Sequence, residues 1–213
     1  MSIRWSLVIP VKTLVAAKTR LAAATGPHRT RLAVAVACDT VSAALSCPLV
    51  ARVVVVTADP AAAGPLGALG AEVVHDPDRG LNTALRTGAA HAVRLAPHEP
   101  VAALQADLPT LRPSELAAVL TAAADHDQSF VPDALDVGTT FYGVRPGVPF
   151  TPRFGGESRA KHLAGGAKEL ELTGIDSVRR DVDTPDDLRA AIELGLGRHT
   201  AAVVRLMKVL PPL

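Results

Sequence analysis

The sequence predicts an α/β fold, in which a mostly parallel β-sheet is covered by helices on both faces. Short runs rich in β-branched residues alternate with alanine-rich stretches of helical length through the first half of the chain. This alternation is typical of parallel strands joined by crossover helices. The chain has 213 residues, of which 48% are hydrophobic. It can therefore bury a good-sized core without the help of disulfides or a structural metal.

The predicted elements are marked by their ends as well as by their composition. Each predicted strand in the first half of the chain is bounded by Pro, Gly or Asp. Asn82 and Pro113 precede apolar-periodic runs, and Thr184 is followed by a proline and two acids, as at a capped helix N-terminus. The predicted strands are residues 6–9, 52–57, 72–75, 101–105, 129–132, 139–144 and 179–182. The predicted helices are residues 29–45, 60–69, 82–95, 113–126, 158–164, a helix that opens at 184–187, and 200–209.

No feature of the sequence divides the chain into separate domains. It has no internal repeat, no Ser/Gly linker and no low-complexity tail. We therefore expect one domain over residues 1–213. Residues 200–213 are expected to be a C-terminal packing segment, whose apolar face points to a contact within a homodimer.

The composition excludes several classes of function. Lys and Arg total 22 against 21 Asp and Glu, and aromatic residues make up only 3%, so we expect no nucleic-acid partner. Apolar runs fall far short of the roughly 20 residues that span a bilayer, and no targeting segment is visible, so no membrane partner is expected either. Cys38 and Cys47 form no CxxC pair. A cytoplasmic protein with reduced thiols is the expectation.

Two common nucleotide-binding motifs are absent from the sequence. No GxGxxG follows a predicted strand, and no GxxxxGK[ST] occurs anywhere. A dehydrogenase of the usual dinucleotide type and a P-loop enzyme are therefore both disfavoured. In an open α/β sheet, ligands bind outside the carboxyl ends of the strands, so the residues that follow each predicted strand are the informative ones.

Charged residues follow three of the predicted strands. Lys12, Lys18 and Arg20 come after the first strand, Asp107 after the fourth, and Asp181 and Asp183 at or just beyond the last. Taken singly, the basic residues would be solvated surface charges, Asp107 a turn former, and the other two acids favourable charges near a helix start. Together on one rim of the sheet they suit a polyphosphate held with Mg²⁺.

A second group of residues could bind an anion. Gly138-Thr139-Thr140 forms one turn, and Phe154-Gly155-Gly156-Glu157-Ser158 forms a loop just before a predicted helix. Glycines there leave backbone N–H groups free to face an anion, and Ser158 adds a hydroxyl. On these residues alone, a plain glycine-rich turn with a serine N-cap explains the pattern as well. The seven histidines lack HExxH spacing and are taken as surface or packing residues.

Seven motifs, in order along nearly the whole chain, resemble the phospholactate/phosphoenolpyruvate guanylyltransferases of coenzyme F(420) biosynthesis. They are Ile9-Pro10-Val11-Lys12, Ala17-Lys18-Thr19-Arg20-Leu21, Gly80-Leu81-Asn82, Ala106-Asp107-Leu108-Pro109, Gly138-Thr139-Thr140, Phe154-Gly155 through Ser158, and Arg180-Asp181-Val182-Asp183-Thr184-Pro185. The Asp-Leu-Pro and Asp-Thr-Pro pieces are shared with wider nucleotidyltransferases. The Pro-Val-Lys loop and the pair Gly-Thr-Thr and Phe-Gly-x-x-Ser are more specific.

The resemblance implies a three-layer, Rossmann-like nucleotidyltransferase fold of the glycosyltransferase-A type. The implied reaction joins GMP from GTP to a three-carbon phosphoacid and releases pyrophosphate. The product would then pass to the enzyme that joins it to the deazaflavin. Carried over by motif, Thr140, Gly155 and Ser158 would bind phosphoenolpyruvate or 2-phospho-L-lactate. Asp107, with Asp181 or Asp183, would hold Mg²⁺.

The remaining site residues are assigned to the nucleotide. Pro10, Val11, Lys12, Gly80 and Asn82 are expected to bind GTP. The acceptor needs no general base, because a phosphomonoester with a second pKa of about 6 is largely dianionic at neutral pH. Three basic residues are the expected catalytic groups, since they would take up the charge that develops on the leaving pyrophosphate. They are Lys12, Lys18 and Arg20.

One departure from the family pattern and two alternatives remain. Asp136-Val137 stands where the family tends to have a second Gly-Thr pair, which affects the shape of that loop. A nucleotidyltransferase of the same fold could act on molybdopterin or a sugar phosphate, although such relatives usually have a glycine-rich first loop where Pro10 and Val11 stand here. A non-catalytic nucleotide-binding module is the alternative from another class.

Overall fold

A mostly parallel β-sheet lies at the centre of the protein, whose structure is a computed structural model that describes residues 3–12 and 25–207. Its strands are β1 (Trp5–Pro10), β2 (Val50–Thr57), β3 (Glu72–His75), β4 (Val101–Leu104), β5 (Gln128–Pro132), β6 (Thr139–Val144) and β7 (Lys168–Glu169). In the described residues the strand order is β3-β2-β1-β4-β6-β5-β7. Only β6 runs antiparallel to its neighbours β4 and β5, and the other pairings are parallel.

The helices follow the strands in the order expected for crossover connections. They are α1 (Arg29–Leu45), α2 (Pro60–Ala68), α3 (Leu81–Leu95), α4 (Pro113–Ala123), α5 (Ser158–Ala164), α6 (Asp176–Arg179), α7 (Pro185–Leu194) and α8 (Arg198–Met207), with a 3₁₀ turn at Gly26–His28. Asp59 caps α2 by accepting the Ala61 N–H at 2.9 Å. In the part of the chain that is described, no helix has the length and apolar character needed to cross a membrane.

Both faces of the sheet are covered by helices. Successive side chains of a strand point to opposite faces, so neighbouring residues of one strand belong to different core clusters. Leu7 and Ile9 of β1 belong to a core cluster with α1, α2 and α4. Val8, between them, belongs to a second cluster with α3 and Phe154. A third cluster joins α7 and α8 to the outer side of α1, around Val182. The predicted arrangement of helices on both faces is confirmed.

Helix α3 packs directly against the sheet through a glycine. A Cβ placed on Gly88 would overlap Val8 Cγ1 and lie 2.7 Å from Val56 Cγ2. No larger residue fits unless the helix moves outward. Because α3 begins beside the site described below, this close contact also sets where the first turn of the helix lies.

The predicted strand at 179–182 is wrong. Residues Asp176–Arg179 form helix α6, and residues 180–183 are irregular. Val182, the one apolar residue of that segment, is fully buried in the cluster formed by α1, α7 and α8. The seventh strand is instead β7, which pairs in parallel with β5. Lys18, Arg20 and residues 208–213 lie outside the described residues, as does the end of the predicted 200–209 helix.

The close packing at Gly88 predicts a position-specific cost. Gly88→Ala should lower the free energy of unfolding by about 1–3 kcal/mol, because the added methyl group overpacks the interface between α3 and the sheet. Gly64→Ala in α2 is the matched control, since a Cβ there meets nothing within 4 Å. It should be neutral or stabilising. Urea unfolding of the two variants measures the difference, and an equal effect would contradict this packing.

Candidate active site

The residues that follow four of the strands lie together at one edge of the sheet, where the carboxyl ends of these strands meet. The parallel strands β1, β2, β3 and β4 end there. Since β6 is antiparallel to β4, its first residues, Thr139 and Thr140, lie at the same edge. The Gln105 N–H donates to the Thr140 carbonyl oxygen at 2.9 Å. The segment that leads to Asp107 is therefore hydrogen-bonded to the start of β6.

Three carboxylates meet at this edge. Asp107, Asp181 and Asp183 each have an oxygen within 4.8 Å of an oxygen of the other two. The chain brings them together across 74 residues of sequence, and a backbone hydrogen bond joins the two segments: the Val182 N–H donates to the Asp107 carbonyl oxygen at 3.0 Å. The sequence left open whether Asp181 or Asp183 accompanies Asp107, and the structure places both beside it.

The backbone around the carboxylates is fixed by side chains that are not part of the cluster. Buried Thr40 of α1 accepts the Leu108 N–H at 3.1 Å, and its hydroxyl lies 3.0 Å from the Ala106 carbonyl oxygen. Asp187 accepts the N–H groups of Asp183 at 3.1 Å and of Thr184 at 2.7 Å, as part of the capping box of α7. These contacts orient the two segments without using the three clustered carboxylates.

Electrostatic repulsion within the cluster is visible at Asp181. Burial, followed by the negative charges of Asp107, Asp183 and Asp133, raises the pKa of Asp181 to about 7. Three carboxylates this close repel one another unless a proton or a cation lies between them. An all-oxygen donor set is the one that hard divalent cations such as Mg²⁺ and Mn²⁺ prefer. The cluster therefore fits a divalent metal.

A pocket of about 180 Å³ lies beside the amino-terminal end of α3. Pro10 and exposed Lys12 from the end of β1 line it, together with Asp76 and with Gly80 at the start of α3. Gly80 has a φ of 88°, a conformation that favours glycine. Val11 points into the core and its N–H donates to the Val56 carbonyl oxygen at 2.9 Å. Three of the five predicted nucleotide-binding residues, Pro10, Lys12 and Gly80, thus line one cavity.

Asn82 connects this pocket to the glycine-rich loop. Its side-chain oxygen accepts the Phe154 N–H at 2.9 Å, and its side-chain nitrogen donates to the Phe154 carbonyl oxygen at 3.0 Å. This pair of bonds uses both polar ends of the amide. Asn82 therefore holds the loop that carries Gly155 against the first turn of α3.

The predicted phosphoacid residues lie in segments that contact one another. The Arg159 N–H, in the first turn of α5, donates to the Val137 carbonyl oxygen at 3.1 Å, which places the Gly155–Ser158 loop beside the turn before Thr139 and Thr140. Thr140 is fully buried, and its hydroxyl has no hydrogen-bond partner among the described residues. A buried hydroxyl of this kind is normally satisfied, so Thr140 is a candidate ligand-binding group.

Sequence reasoning missed the role of His162, which was taken as a surface or packing residue. It is 1% exposed and stacks against Phe130 and Tyr142, with distances between ring centroids of 5.5 and 4.8 Å. Its Nε2 accepts the Arg153 N–H at 3.0 Å, so Nδ1 carries the proton towards the Thr139 hydroxyl, also at 3.0 Å. Burial lowers the pKa of His162 to about 4. The neutral ring thus joins β6 to the glycine-rich loop.

The turn between β5 and β6 is built around an aspartate. Asp133 accepts the N–H groups of Leu135, Val137 and Gly138 at 3.2, 3.0 and 2.8 Å. A Cβ on Gly138 would overlap that carboxylate. Arg179 of α6 donates to the Asp133 carbonyl oxygen at 2.8 Å. The turn that departs from the family pattern at residues 136–137 therefore has a well-defined scaffold of its own.

Comparison with known proteins identifies the family. The sequence model described as "Guanylyl transferase CofC like" matches residues 5–210. The chain belongs to this CofC-like guanylyl transferase family. It is 72% identical over 204 residues to the phosphoenolpyruvate guanylyltransferase of Streptosporangium roseum, covering 96% of this chain and 92% of that one. It is 60% identical over 209 residues to the protein of the same name from Thermomonospora curvata, covering 98% of this chain and 92% of that one.

Solved structures show that this CofC-like chain has the predicted nucleotidyltransferase fold. A nucleotidyl transferase from Methanothermobacter superposes with a TM-score of 0.60 at 17% identity, covering 90% of this chain and 97% of that one. A manganese complex of Rv0371c from Mycobacterium tuberculosis superposes with a TM-score of 0.54 at 20% identity, covering 90% of this chain and 98% of that one. At such identities the likeness concerns the fold alone.

The neutral state of His162 predicts a pH dependence of stability. The unfolded chain binds a proton at His162 near pH 6.5 and the folded chain only near pH 4. The contribution of this residue is therefore complete above pH 6.5 and is lost as the pH falls towards 4. Between pH 7.5 and pH 5, the free energy of unfolding should fall by about 2 kcal/mol from this residue.

Urea unfolding at the two pH values measures this loss. His162→Gln removes the titrating ring and should show a smaller loss on acidification than the unaltered protein. His98→Gln, at an exposed histidine, is the matched control and should behave as the unaltered protein does. Equal losses in the unaltered protein and in His162→Gln would show that His162 is not held neutral by the fold.

Proposed function

We propose that this chain is a phosphoenolpyruvate guanylyltransferase, which transfers GMP from GTP to the phosphate of phosphoenolpyruvate in coenzyme F(420) biosynthesis. The observation that carries the proposal is the cluster of Asp107, Asp181 and Asp183 at the sheet edge that also holds the Lys12 pocket. It occurs in a chain 72% identical to a protein of that name. Carboxylates that can hold a divalent metal, close to the amino group of Lys12, suit the joining of two phosphates.

The reaction forms one P–O bond and breaks another. An oxygen of the acceptor phosphate attacks the α-phosphorus of GTP, and the bond to the β-phosphate breaks, so that pyrophosphate leaves with the electron pair. The acceptor phosphate has a second pKa of about 6 and is already largely dianionic at neutral pH. The protein therefore needs no general base. It must align two anions and offset their repulsion.

The three carboxylates are the proposed metal ligands. Asp107, Asp181 and Asp183 would hold a divalent cation, proposed to be Mg²⁺, between them. When bound, such an ion would neutralise phosphate charge and make the α-phosphorus more electrophilic. Lys12, at the mouth of the nucleotide pocket, would attract the β- and γ-phosphates. Lys18 and Arg20 are proposed to act with it on the leaving pyrophosphate.

The proposed phosphoacid site combines the start of β6 with the glycine-rich loop at residues 154–158, which Asn82 holds against the first turn of α3. The Thr140 hydroxyl, the backbone at Gly155 and the Ser158 hydroxyl would bind the acceptor, and the buried, unpartnered hydroxyl of Thr140 within the described residues supports this. The rigid turn at Asp133 and the neutral His162 ring hold these groups in place. Asn82 would act mainly by positioning the loop at Phe154, while Gly80 and the backbone at Pro10 and Val11 would contact GTP.

The proposal has further parts that concern the protein as a whole. We propose that residues 1–213 form one domain, that the enzyme acts in the cytoplasm as a homodimer, and that its product passes to the enzyme that joins it to the deazaflavin. Phosphoenolpyruvate is favoured over 2-phospho-L-lactate as acceptor because the relatives at 72% and 60% identity carry the phosphoenolpyruvate name.

A substrate screen tests the proposed reaction. The purified chain is incubated with GTP, Mg²⁺ and either phosphoenolpyruvate, 2-phospho-L-lactate or a sugar phosphate, and pyrophosphate release is measured. We expect release with phosphoenolpyruvate that exceeds release with the other acceptors, and none with EDTA. No pyrophosphate with either three-carbon acid would contradict the proposal. Release with the sugar phosphate alone would favour another acceptor class.

The two-site arrangement predicts that Ser158→Ala affects one substrate. Loss of one hydrogen bond to a charged phosphate should raise the KM for phosphoenolpyruvate by about 10- to 100-fold and leave the KM for GTP within about twofold. Ser46→Ala, at an exposed hydroxyl that donates to the Ser42 carbonyl oxygen, should change neither constant. An equal rise in both KM values for Ser158→Ala would contradict separate sites for the two substrates.

A further inference from the structure

The transfer of GMP requires that the protein select guanine among the nucleotide bases. Guanine differs from adenine along one edge. Its N1–H and its 2-amino group are both donors, and adenine has an acceptor at N1. A carboxylate accepts two parallel hydrogen bonds, as it does from the two N–H groups of an arginine. A protein that selects guanine can therefore do so with one correctly placed aspartate or glutamate.

Only three side chains that line the pocket of about 180 Å³ carry polar groups among its described residues. They belong to Lys12, Asp76 and Asp78. Lys12 can only donate hydrogen bonds, and it lies at the end of β1 towards the site proposed for the phosphates. Asp78 is exposed. Asp76 is half-buried, so it is the acceptor within the pocket that is best shielded from water.

The position of Asp76 is fixed by its neighbours. It directly follows β3, and its N–H donates to the Thr57 carbonyl oxygen at 3.2 Å, which extends the pairing of β2 and β3 by one residue. Its Oδ1 accepts the Asp78 N–H at 2.9 Å. This bond restricts the rotation of the carboxylate and occupies one lone pair of Oδ1, so both oxygens can still accept hydrogen bonds from a ligand. A side chain held in this way loses little freedom when it binds a ligand.

Asn82, the other side chain that the sequence assigned to the nucleotide, has both polar ends on the Phe154 backbone. It is therefore already engaged in holding the loop, and Asp76 is the stronger acceptor for the base. We propose that Asp76 accepts hydrogen bonds from N1–H and the 2-amino group of guanine, and so makes the enzyme specific for GTP. This inference rests on the proposed function, because it concerns the base of the same nucleotide.

A change of base preference tests the proposal. In Asp76→Asn, the side chain keeps one acceptor and gains a donor, which matches xanthine, where a carbonyl oxygen replaces the 2-amino group. We expect kcat/KM for GTP to fall at least about tenfold and kcat/KM for XTP to rise at least about tenfold. A folded variant with unaltered preference, or one that uses neither nucleotide, overturns the proposal.

Asp59→Asn is the matched control for this variant. It removes the same charge one strand away, and asparagine preserves the N-cap that Asp59 gives to α2. The base preference of this variant should equal that of the unaltered enzyme. A gain in XTP use by Asp59→Asn as large as that by Asp76→Asn would show a general charge effect and would overturn the proposal.

The unaltered enzyme gives a test that does not depend on the folding of a variant. ITP lacks the 2-amino group, so its kcat/KM should be at least about tenfold lower than that of GTP, and equal values overturn the proposal. Binding of GTP, ITP and XTP without phosphoacid, measured by calorimetry, separates this inference from the proposed function. An enzyme that prefers GTP in binding but makes no pyrophosphate would retain the Asp76 inference and contradict the proposed reaction.

Discussion

Repulsion among three carboxylates is the constraint on which the rest of the site depends. Asp107, Asp181 and Asp183 have oxygens within 4.8 Å of one another, and burial with this repulsion raises the pKa of Asp181 to about 7. The folded chain has to hold them together against that force. A cation that binds between them would remove the repulsion. The repulsion that lowers the stability of the metal-free protein therefore favours metal binding.

Helix α1 and the α7–α8 pair provide the framework that resists this repulsion. Thr40 of α1 fixes the backbone on both sides of Asp107. Its neighbour Asp39 accepts the N–H groups of His199 at 3.0 Å and Thr200 at 2.7 Å, at the start of α8. Two adjacent residues of α1 thus anchor the Asp107 segment and the start of α8 to the same helix. Gly197 completes the contact, because its N–H donates to the Pro109 carbonyl oxygen at 2.8 Å.

Much of the fold could be predicted from the sequence, because strands buried on both faces and capped helices leave local signals. Strands β3 and β6 have the predicted bounds. The three aspartates do lie together, but the predicted reason holds only for Asp107, because Asp181 and Asp183 follow no strand and are joined to it by the hydrogen bond from the Val182 N–H to the Asp107 carbonyl oxygen. Long-range hydrogen bonds have no such signal. The bonds of Asn82 to Phe154 span 72 residues, and that of His162 to Thr139 spans 23, so their positioning roles became visible only in the folded chain.

The most direct test of this account is calorimetric titration of the protein with Mn²⁺ in the absence of nucleotide. The unaltered protein should bind the ion, and Asp107→Asn should weaken binding at least about tenfold, because a ligand is lost. Asp186→Asn, which removes an equal charge from an exposed position of α7, should bind as the unaltered protein does. Equal affinities for Mn²⁺ in the unaltered protein and in Asp107→Asn would contradict a metal site at the three carboxylates.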